Sequence, residues 1–278
     1  MLNSVATAAI LYGITFAEGV RHLPADAIVL RRLAFGRWRC VRRVEIGAGL
    51  RLISWCLPAS LPVVLPRESS SAGDGDITER AAEMRARIGE TKLSLGLLRV
   101  LGLATLLLLV VGVPVVVERN GLFGLIVAVI VLVELTFVQA LWTAWLLRRL
   151  GASGRAAALT FLRLLNPFAV QRAAEMVFAR IVAGVPALVS AYELLGDEEF
   201  VRAFRPMLYD ALQGEGVHET LAGLTSLLAG ERLASLLRTP PAGLASGAFC
   251  PRCESQFASG SGFCTDCDDV PLLAAQSK

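Results

Sequence analysis

The sequence predicts a mainly α-helical membrane protein, with a transmembrane helical hairpin, a small N-terminal β-rich segment, a cytoplasmic helical bundle and a C-terminal cysteine module. Three observations support this fold class. The composition is 55% hydrophobic and only 18% charged, with a mean hydropathy of +0.60, which is more apolar than typical soluble proteins. Two long apolar runs lie near the middle of the chain. Four cysteines are grouped in pairs near its end.

Residues 1–20 contain an apolar stretch, Leu2 to Val20, that precedes every arginine and lysine of the chain. A secretory signal peptide carries its positive charge before the apolar segment, so this order argues against one. We expect a third membrane helix with its N-terminus outside, or a helix that lies in the interface or against the hairpin.

Residues 21–67 have the β-branched, aromatic and alternating pattern of a small sheet. The expected strands are Ala27 to Leu33, Arg37 to Ile46 and Leu50 to Leu57, with Gly47 to Gly49 as the turn between the last two.

This segment is strongly basic, with Glu45 as its one acidic residue between positions 31 and 51. The favoured interpretation is a solvated face on the cytoplasmic side. The alternatives are contact with anionic lipid headgroups, and a nucleic-acid surface with Phe35 and Trp38 as stacking platforms. The basic patch comprises Arg31, Arg32, Arg37, Arg39, Arg42, Arg43 and Arg51.

Residues 68–76 are rich in serine and glycine and are expected to form a linker. A capping-box pattern at Asp76 to Glu79 predicts the start of a juxtamembrane helix over residues 77–96. Its apolar positions alternate by four and three residues, which is a heptad seam. Such a seam packs against the same chain or forms a homodimer. The seam positions are Ile77, Ala81, Met84, Ile88, Thr91 and Leu95.

The hairpin is predicted over residues 97–147, because Leu97 to Val117 and Leu122 to Leu147 each exceed the ~20 residues that cross a bilayer. Glu118 to Gly121 provides the reversal. Basic residues flank both outer ends of the hairpin, which places both flanks in the cytoplasm and the protein in the cell (inner or cytoplasmic) membrane. These flanking residues are Arg85, Arg87, Lys92, Arg148, Arg149 and Arg155, with Trp142 and Trp145 at the same interface.

The second apolar run carries Glu134 and Gln139 at depths where polar groups are unfavourable. With the reversal centred between residues 119 and 120, Glu134 lies level with Thr105, and Gln139 lies level with Val100, beside Arg99. These groups are expected to form hydrogen bonds within the hairpin or to another subunit. A basic residue of a partner subunit, or transport through Glu134, are the alternatives.

Residues 148–238 are expected to form a cytoplasmic helical domain, followed by a proline-containing linker at 239–248. Within this domain, Pro206 is expected to kink or divide a helix that starts at Asp197. A short helix is expected around Glu219 to Leu228.

No catalytic arrangement is found along the chain. The two histidines, His22 and His218, lack the spacing of a zinc-protease helix, and the sequence has no phosphate-binding glycine loop and no nucleophile elbow. An enzyme is therefore not expected.

The four cysteines follow a C-x2-C-x10-C-x2-C pattern, which suits two pairs of thiolates on one tetrahedral zinc ion. Residues 249–268 resemble the short zinc-ribbon modules at the ends of many bacterial proteins. A proline after the first cysteine, the ten-residue separation and Phe263 before the third cysteine carry this resemblance. It implies one structural zinc ion held by Cys250, Cys253, Cys264 and Cys267.

Zinc ribbons usually have glycine after the second and fourth cysteines, where this chain has Glu254 and Asp268. The substitution is expected to strain the turns without changing the ligands. Two disulfides are the alternative to zinc, but a cytoplasmic location disfavours them. The other cysteines, Cys40 and Cys56, are expected to be free buried thiols, and residues 269–278 form a tail.

These features predict an interaction or regulatory scaffold in the membrane, contacting lipids and a protein partner through the zinc ribbon or the helical domain. The alternative is a subunit of a transport or membrane-assembly complex that uses the hairpin and Glu134. A membrane-tethered regulator of nucleic acid is a third class. It is disfavoured because the acidic residues around the cysteines repel DNA.

Overall fold

The structure, a computed structural model, describes residues 4–19, 21–23, 28–33, 38–40, 51–53, 60–65, 77–213, 224, 228, 230–241, 247–258 and 261–275. Within these ranges the chain is mostly helical, with one long apolar helical stretch and small β segments. It divides into two compact units, Met1–Leu65 with Glu83–Ala183 and Pro66–Ala82 with Gly184–Lys278. The division falls inside residues 148–238, which the sequence assigns to one helical domain.

The helices and strands are numbered in chain order. The helices are α1 (Ser4–Gly19), α2 (Ile77–Leu107), α3 (Val113–Arg149), α4 (Gly154–Leu164), α5 (Ala173–Val182), α6 (Ala187–Leu195), α7 (Asp197–Leu212) and α8 (Gly230–Leu237). A π-helical turn, Leu108–Gly112, joins α2 to α3, and a 3-10 turn, Val170–Arg172, precedes α5. The strands are β1 (Arg21–Leu23), β2 (Ile28–Leu33), β3 (Trp38–Cys40), β4 (Arg51–Ile53), β5 (Ser60–Leu65), β6 (Ala248–Phe249), β7 (Gln256–Phe257) and β8 (Leu273–Ala274).

The stretch Ile77–Arg149 is long and apolar enough to cross a membrane. Its helical path is broken at Gly121, which has φ 57° and ψ −136°, a conformation open to glycine because it lacks a Cβ. A straight helix would hold Thr105 and Gln139 about 50 Å apart. The amide nitrogen of Gln139 lies 2.7 Å from the Thr105 hydroxyl, so the chain folds back on itself between them.

The π-helical turn ends two residues before Pro114, which lies near the start of α3. Proline lacks an amide hydrogen, and its ring crowds the preceding helical turn, so the hydrogen-bond ladder is disturbed at this point. The helix α1 packs against this turn and against α3. This agrees with a helix lying against the apolar stretch, one of the arrangements expected for residues 1–20.

The expected heptad seam of α2 is a buried face. Ala81, Met84, Thr91 and Leu95 are each at most 6% exposed, and Ile77 and Ile88 are half-buried. The same spacing continues into the apolar part of α2 through buried Leu98, Gly102, Thr105 and Leu109. Because this face is already covered by the same chain, its burial does not require a second copy.

The buried face of α3 carries small residues at intervals of four, including Gly124, Ala128, Thr136 and Ala140. A Cβ on Gly124 would lie 2.4 Å from the carbonyl oxygen of Val116, so the backbones meet closely just beyond the reversal. Most large apolar side chains of α3 point outward instead, although Leu132, Leu146 and Leu147 are buried. Leu122, Phe123 and Val133 are 72%, 73% and 60% exposed.

The N-terminal segment forms two antiparallel sheets, with strand orders β1-β4 and β3-β2-β5. The sequence correctly predicts β2, and β3 and β4 fall within the other two expected strands. The pairing differs, because β3 pairs with β2 and β4 pairs with β1. The strand β5 was not expected; its Pro62 is tolerated because an edge strand leaves amide positions unpaired. The expected turn at Gly47 to Gly49 and the linker at 68–76 lie outside the described residues.

The helices α4 and α5 pack with α3 instead of extending away from it. The rings of Phe137 and Phe161 lie 5.6 Å apart in an edge-to-face contact, so α4 runs back along the apolar part of α3. The guanidinium of Arg180 donates to the carbonyl oxygen of Gly151 at 2.8 Å. The C-terminal end of α5 therefore lies beside the C-terminal end of α3. Trp38 of β3 packs on Phe178 of α5, with ring centroids 5.1 Å apart.

In the other unit, α7 is one continuous helix despite Pro206. The kink or division predicted at this proline does not interrupt the helix. Phe200 and Phe204 pack on one face of α7, and Arg232 of α8 forms an ion pair with Asp197 at its start. The helix expected at Glu219 to Leu228 lies outside the described residues, except for Leu224 and Leu228.

Candidate metal centre

The four cysteines converge as their spacing predicts. The sulfur atoms of Cys250, Cys253, Cys264 and Cys267 all lie within 4.8 Å of one another, and those of Cys253 and Cys264 are 3.6 Å apart. A tetrahedral zinc ion with Zn–S bonds of about 2.3 Å separates its ligands by about 3.8 Å. All four are free thiols and not disulfides. The cluster could therefore hold a metal ion such as zinc.

We refer to residues 247–275 as the four-cysteine module. Residues 269–275 were expected to belong to a tail, but they are part of this module because β8 pairs with β6. Its core is a three-stranded antiparallel sheet in the order β7-β6-β8, with two residues in each strand. The first cysteine pair sits in a tight turn, in which the Glu254 amide donates to the carbonyl oxygen of Cys250 at 3.1 Å. The Arg252 amide lies 3.4 Å from the sulfur of Cys250 and donates to it. Such amide-to-sulfur hydrogen bonds stabilise thiolates.

The residues after the second and fourth cysteines have left-handed backbone conformations. Glu254 has φ 65° and Asp268 has φ 36°, and Asp269 follows with φ 62°. The turns therefore adopt the geometry that glycine accommodates most easily, although this chain has acidic residues there. The expected strain is present at both positions.

The thiols differ in their tendency to ionise. Burial acts most strongly and raises the pKa of Cys253, but hydrogen bonds with the side chain and backbone of Ser255 and with neighbouring thiols lower this pKa to about 7. Burial, followed by hydrogen bonds among the thiols, raises the pKa of Cys267 and of Cys250. One thiolate thus forms readily, and the charge of a bound metal ion would promote ionisation of the others.

A buried arginine joins the four-cysteine module to the helices of the same unit. Arg205 of α7 is 2% exposed, and its two terminal nitrogens donate to the carbonyl oxygens of Leu237 and Thr239, each at 2.8 Å. Its Nε lies 3.5 Å from the Glu254 carboxylate, and its guanidinium stacks 5.3 Å from the centre of the Phe249 ring. One side chain therefore contacts the end of α8 and the turn beside Cys253.

Two further residues of α7 contact the module. Asp210 lies 3.3 Å from Nε of Arg252, between the first two cysteines. Tyr209 packs against the small cluster of buried Cys250, Cys264 and Val270. The module therefore contacts a helix of its own chain, whereas the expected contact with a protein partner stays a prediction.

The structure brings together only part of the expected intramembrane polar group. Gln139 is fully buried and donates to Thr105 and to the carbonyl oxygens of Leu101 and Leu135. Glu134 is exposed on the opposite side of α3. The pairing of Glu134 with Thr105 is thus not observed, because the reversal at Gly121 shifts the register of the two helices. Arg99 is instead close enough to Arg32 of β2 for their charges to interact.

The basic patch is described only in part. Arg31 and Arg39 face each other across the sheet, Arg31 and Arg32 are half-buried and Arg39 is exposed. Trp38 is 8% exposed, which leaves little of its ring for stacking on a base. Arg51 lies in β4 opposite Leu23, and Cys40 is half-buried. The predictions for Phe35, Arg37, Arg42, Arg43, Cys56 and His218 lie outside the described residues.

Comparison of the chain with protein-family models, with curated proteins and with solved structures found no match.

Proposed function

We propose that this protein is a membrane-anchored interaction scaffold that recruits a protein partner through a four-cysteine module stabilised by one structural zinc ion. The observation that carries the proposal is the closed set of four sulfur atoms in a module that is held on α7 by Arg205. Four protein thiolates fill a tetrahedral coordination shell, so such a zinc ion has no open position for substrate. It stabilises a surface instead.

The distribution of residues in α2 and α3 supports the membrane anchor. Only 28% of the most apolar 18-residue segment of this stretch is buried, and the buried face of α3 includes small and polar residues such as Gly124 and Gln139 beside Leu132. Large apolar side chains face outward. This arrangement is favourable in lipid, where small residues and hydrogen bonds hold helices together. We place the hairpin in the cell membrane, with both flanks in the cytoplasm, where thiols stay reduced.

The partner surface that we propose includes Phe263 of the four-cysteine module. Its side chain is 65% exposed, next to exposed Asp266, Asp268 and Asp269. An exposed aromatic residue with neighbouring charges is typical of a protein contact. The negative charge favours a basic protein surface and disfavours nucleic acid.

The proposal is tested with the full-length protein in mild detergent. We expect about one zinc ion per chain by elemental analysis, and retention of the protein in membranes after alkaline extraction. Phe263→Ala is expected to remove a co-purifying partner without loss of zinc. Phe123→Ala, which alters another phenylalanine that is 73% exposed, is the matched control. A partner set that is unchanged by Phe263→Ala, or a chain that is extracted at alkaline pH, contradicts the proposal.

The second candidate is a subunit of a transport or membrane-assembly complex. It is favoured by the exposure of Glu134 among outward-facing apolar side chains, since a carboxyl group at membrane depth needs a partner. Loss of transport in Glu134→Gln, with assembly retained, would support proton handling. Loss of assembly alone would indicate a contact with another subunit.

A further inference from the structure

A groove of 790 Å³ lies between α4 and α5, within the first compact unit. This volume is in the range of about 300–1,000 Å³ that is typical of ligand sites. We call it the α4–α5 groove. Its walls include Leu159 and Arg163 from α4, and Met176, Ala179 and Arg180 from α5.

The charge of the α4–α5 groove is positive. Two of its lining residues, Arg163 and Arg180, are basic and none is acidic, while Ser153 and Thr160 add hydroxyl groups. The nearby Glu175 lies outside the lining and is 3.6 Å from Arg172, with both of these side chains buried. Its charge also interacts with Arg163. The Arg180 guanidinium uses one nitrogen on the carbonyl oxygen of Gly151 and retains further donors. The groove is therefore complementary to an anion.

The outer surface of α4 is apolar beside this cationic groove. Leu159, Leu162 and Leu165 are 58%, 61% and 40% exposed, and Leu159 also lines the groove. Because Phe161 packs on Phe137 of α3, α4 lies beside the outward-facing apolar residues of the proposed anchor. An amphipathic helix in this position presents its leucines to acyl chains.

We propose that the α4–α5 groove binds an anionic phospholipid, with its headgroup phosphate at Arg163 and Arg180 and an acyl chain along Leu159 and Met176. This inference rests on the proposed membrane anchor. A free phosphate ion would use the two arginines but not the apolar surface that continues from the groove onto α4. A phospholipid uses both, since guanidinium groups bind phosphate through paired hydrogen bonds.

The test uses the full-length, metal-loaded protein in mild detergent, titrated with phosphatidylglycerol or phosphatidylcholine and analysed by native mass spectrometry. Phosphatidylglycerol is expected to be retained preferentially. Arg163→Gln is expected to weaken its retention about tenfold, which corresponds to the loss of one charge-assisted contact. Arg155→Gln removes an exposed arginine of the same helix that does not line the groove, and is expected to have little effect.

A second variant separates the groove from general electrostatic attraction. Ala179→Trp fills the groove and leaves both arginines in place, so it is expected to abolish retention of phosphatidylglycerol. Equal retention in wild type, Arg163→Gln and Ala179→Trp would overturn the lipid site, as would full competition by inorganic phosphate. Alkaline extraction of the same variants distinguishes the two proposals. Release of the wild-type protein contradicts the membrane anchor, whereas a membrane-retained protein without these lipid effects contradicts only the groove.

Discussion

Asp268 occupies a backbone conformation that ordinary residues adopt at a cost. Its φ is 36°, and it follows Cys267, so the turn that positions this sulfur stores some strain. Aspartate tolerates left-handed geometry better than most residues, but glycine has no Cβ to clash. The module is therefore less stable with aspartate at position 268 than it would be with glycine. Asp268 lies next to the exposed surface proposed for the partner.

Asp268→Gly is therefore expected to stabilise the four-cysteine module by about 0.5–1 kcal/mol. Thr265→Gly is the control, because the Thr265 backbone lacks a positive φ and glycine there mainly adds unfolded-state entropy. The measurement is thermal unfolding of the metal-loaded protein, with hydrogen exchange of the Cys264 amide as a local probe. A loss of stability in Asp268→Gly that equals the loss in the control would contradict this account.

Arg205 satisfies two backbone carbonyl groups with one planar guanidinium. Lysine has a single ammonium group and cannot reproduce this fork. Arg205→Lys is expected to cost about 2–3 kcal/mol, because the carbonyl oxygens of Leu237 and Thr239 lose their donors in a buried place.

Arg202→Lys is the matched control on the same helix. The side chain of Arg202 is 38% exposed and forms ion pairs with Glu198 and Glu199, which contribute little at a surface. Chemical denaturation and hydrogen exchange over residues 230–241 compare the two variants. Similar small losses for both would show that the fork is unimportant for stability.

The sequence predicts the cysteines of this site but not Arg205. The convergence of the four cysteines was predicted because the cysteine pairs of zinc sites are close in sequence, and the geometry of such a site fixes their spacing. Arg205 was missed because its contacts come from distant segments, and an arginine in an amphipathic helix ordinarily faces solvent. A buried arginine becomes recognisable only when the surrounding carbonyl groups and Glu254 are placed around it.

At the scale of elements, the reversal of the chain within α3 depends on where glycine is needed. A Cβ on Gly124 would lie 2.4 Å from a backbone oxygen, whereas one on Gly102 would have its nearest neighbours at 3.7 Å and 3.9 Å. A Cβ on Gly96 would meet nothing within 4 Å. The space available for a Cβ therefore differs among these three glycines. There is none at Gly124, ordinary contact distance at Gly102, and open space at Gly96.

Gly124→Ala is expected to destabilise the reversal within α3 by about 1–3 kcal/mol, because the backbones at Val116 and residue 124 must move apart. Gly96→Ala is expected to stabilise α2 by up to about 1 kcal/mol through helix propensity, with Gly102→Ala between them. Unfolding of the detergent-solubilised protein measures all three. An equal effect of the three substitutions would contradict the close approach at Gly124.

Helices were predicted well where a single pattern of apolar residues was sufficient to identify them. The heptad spacing of α2 identified its buried face, and hydropathy identified the apolar stretch. Strand pairing was not predictable, because the short strands β3 and β4 lack a pattern that selects their partners. The return of α4 along α3 was also missed, because apolar side chains such as Phe161 pack equally well in a separate domain or beside a membrane helix.

For the whole molecule, metal removal is expected to act on one unit. The four-cysteine module has strands of two residues each, too few to hold their shape without the metal ion. Chelation is expected to accelerate exchange of the Cys250, Glu254 and Cys264 amides by at least about tenfold. The apolar helices, which contain none of these ligands, are expected to keep their exchange rates.

Hydrogen exchange with mass spectrometry, before and after chelation, measures both units in one sample. Elemental analysis confirms that the metal has left, and readdition of zinc provides the control for reversibility. Unchanged protection of the module after confirmed metal loss would contradict a structural role for the metal.

The link between Arg205 and Glu254 also bears on the order in which the protein acquires its structure. A ribosome synthesises α7 before α8 and before the four-cysteine module, so Arg205 emerges without the carbonyl groups and carboxylate that later surround it. Until those segments arrive, its charge is best solvated by water, and the face of α7 that carries it cannot close. Completion of this unit during biosynthesis therefore waits for the arrival of the cysteines and, with the zinc ion that we propose, for the supply of metal in the cell.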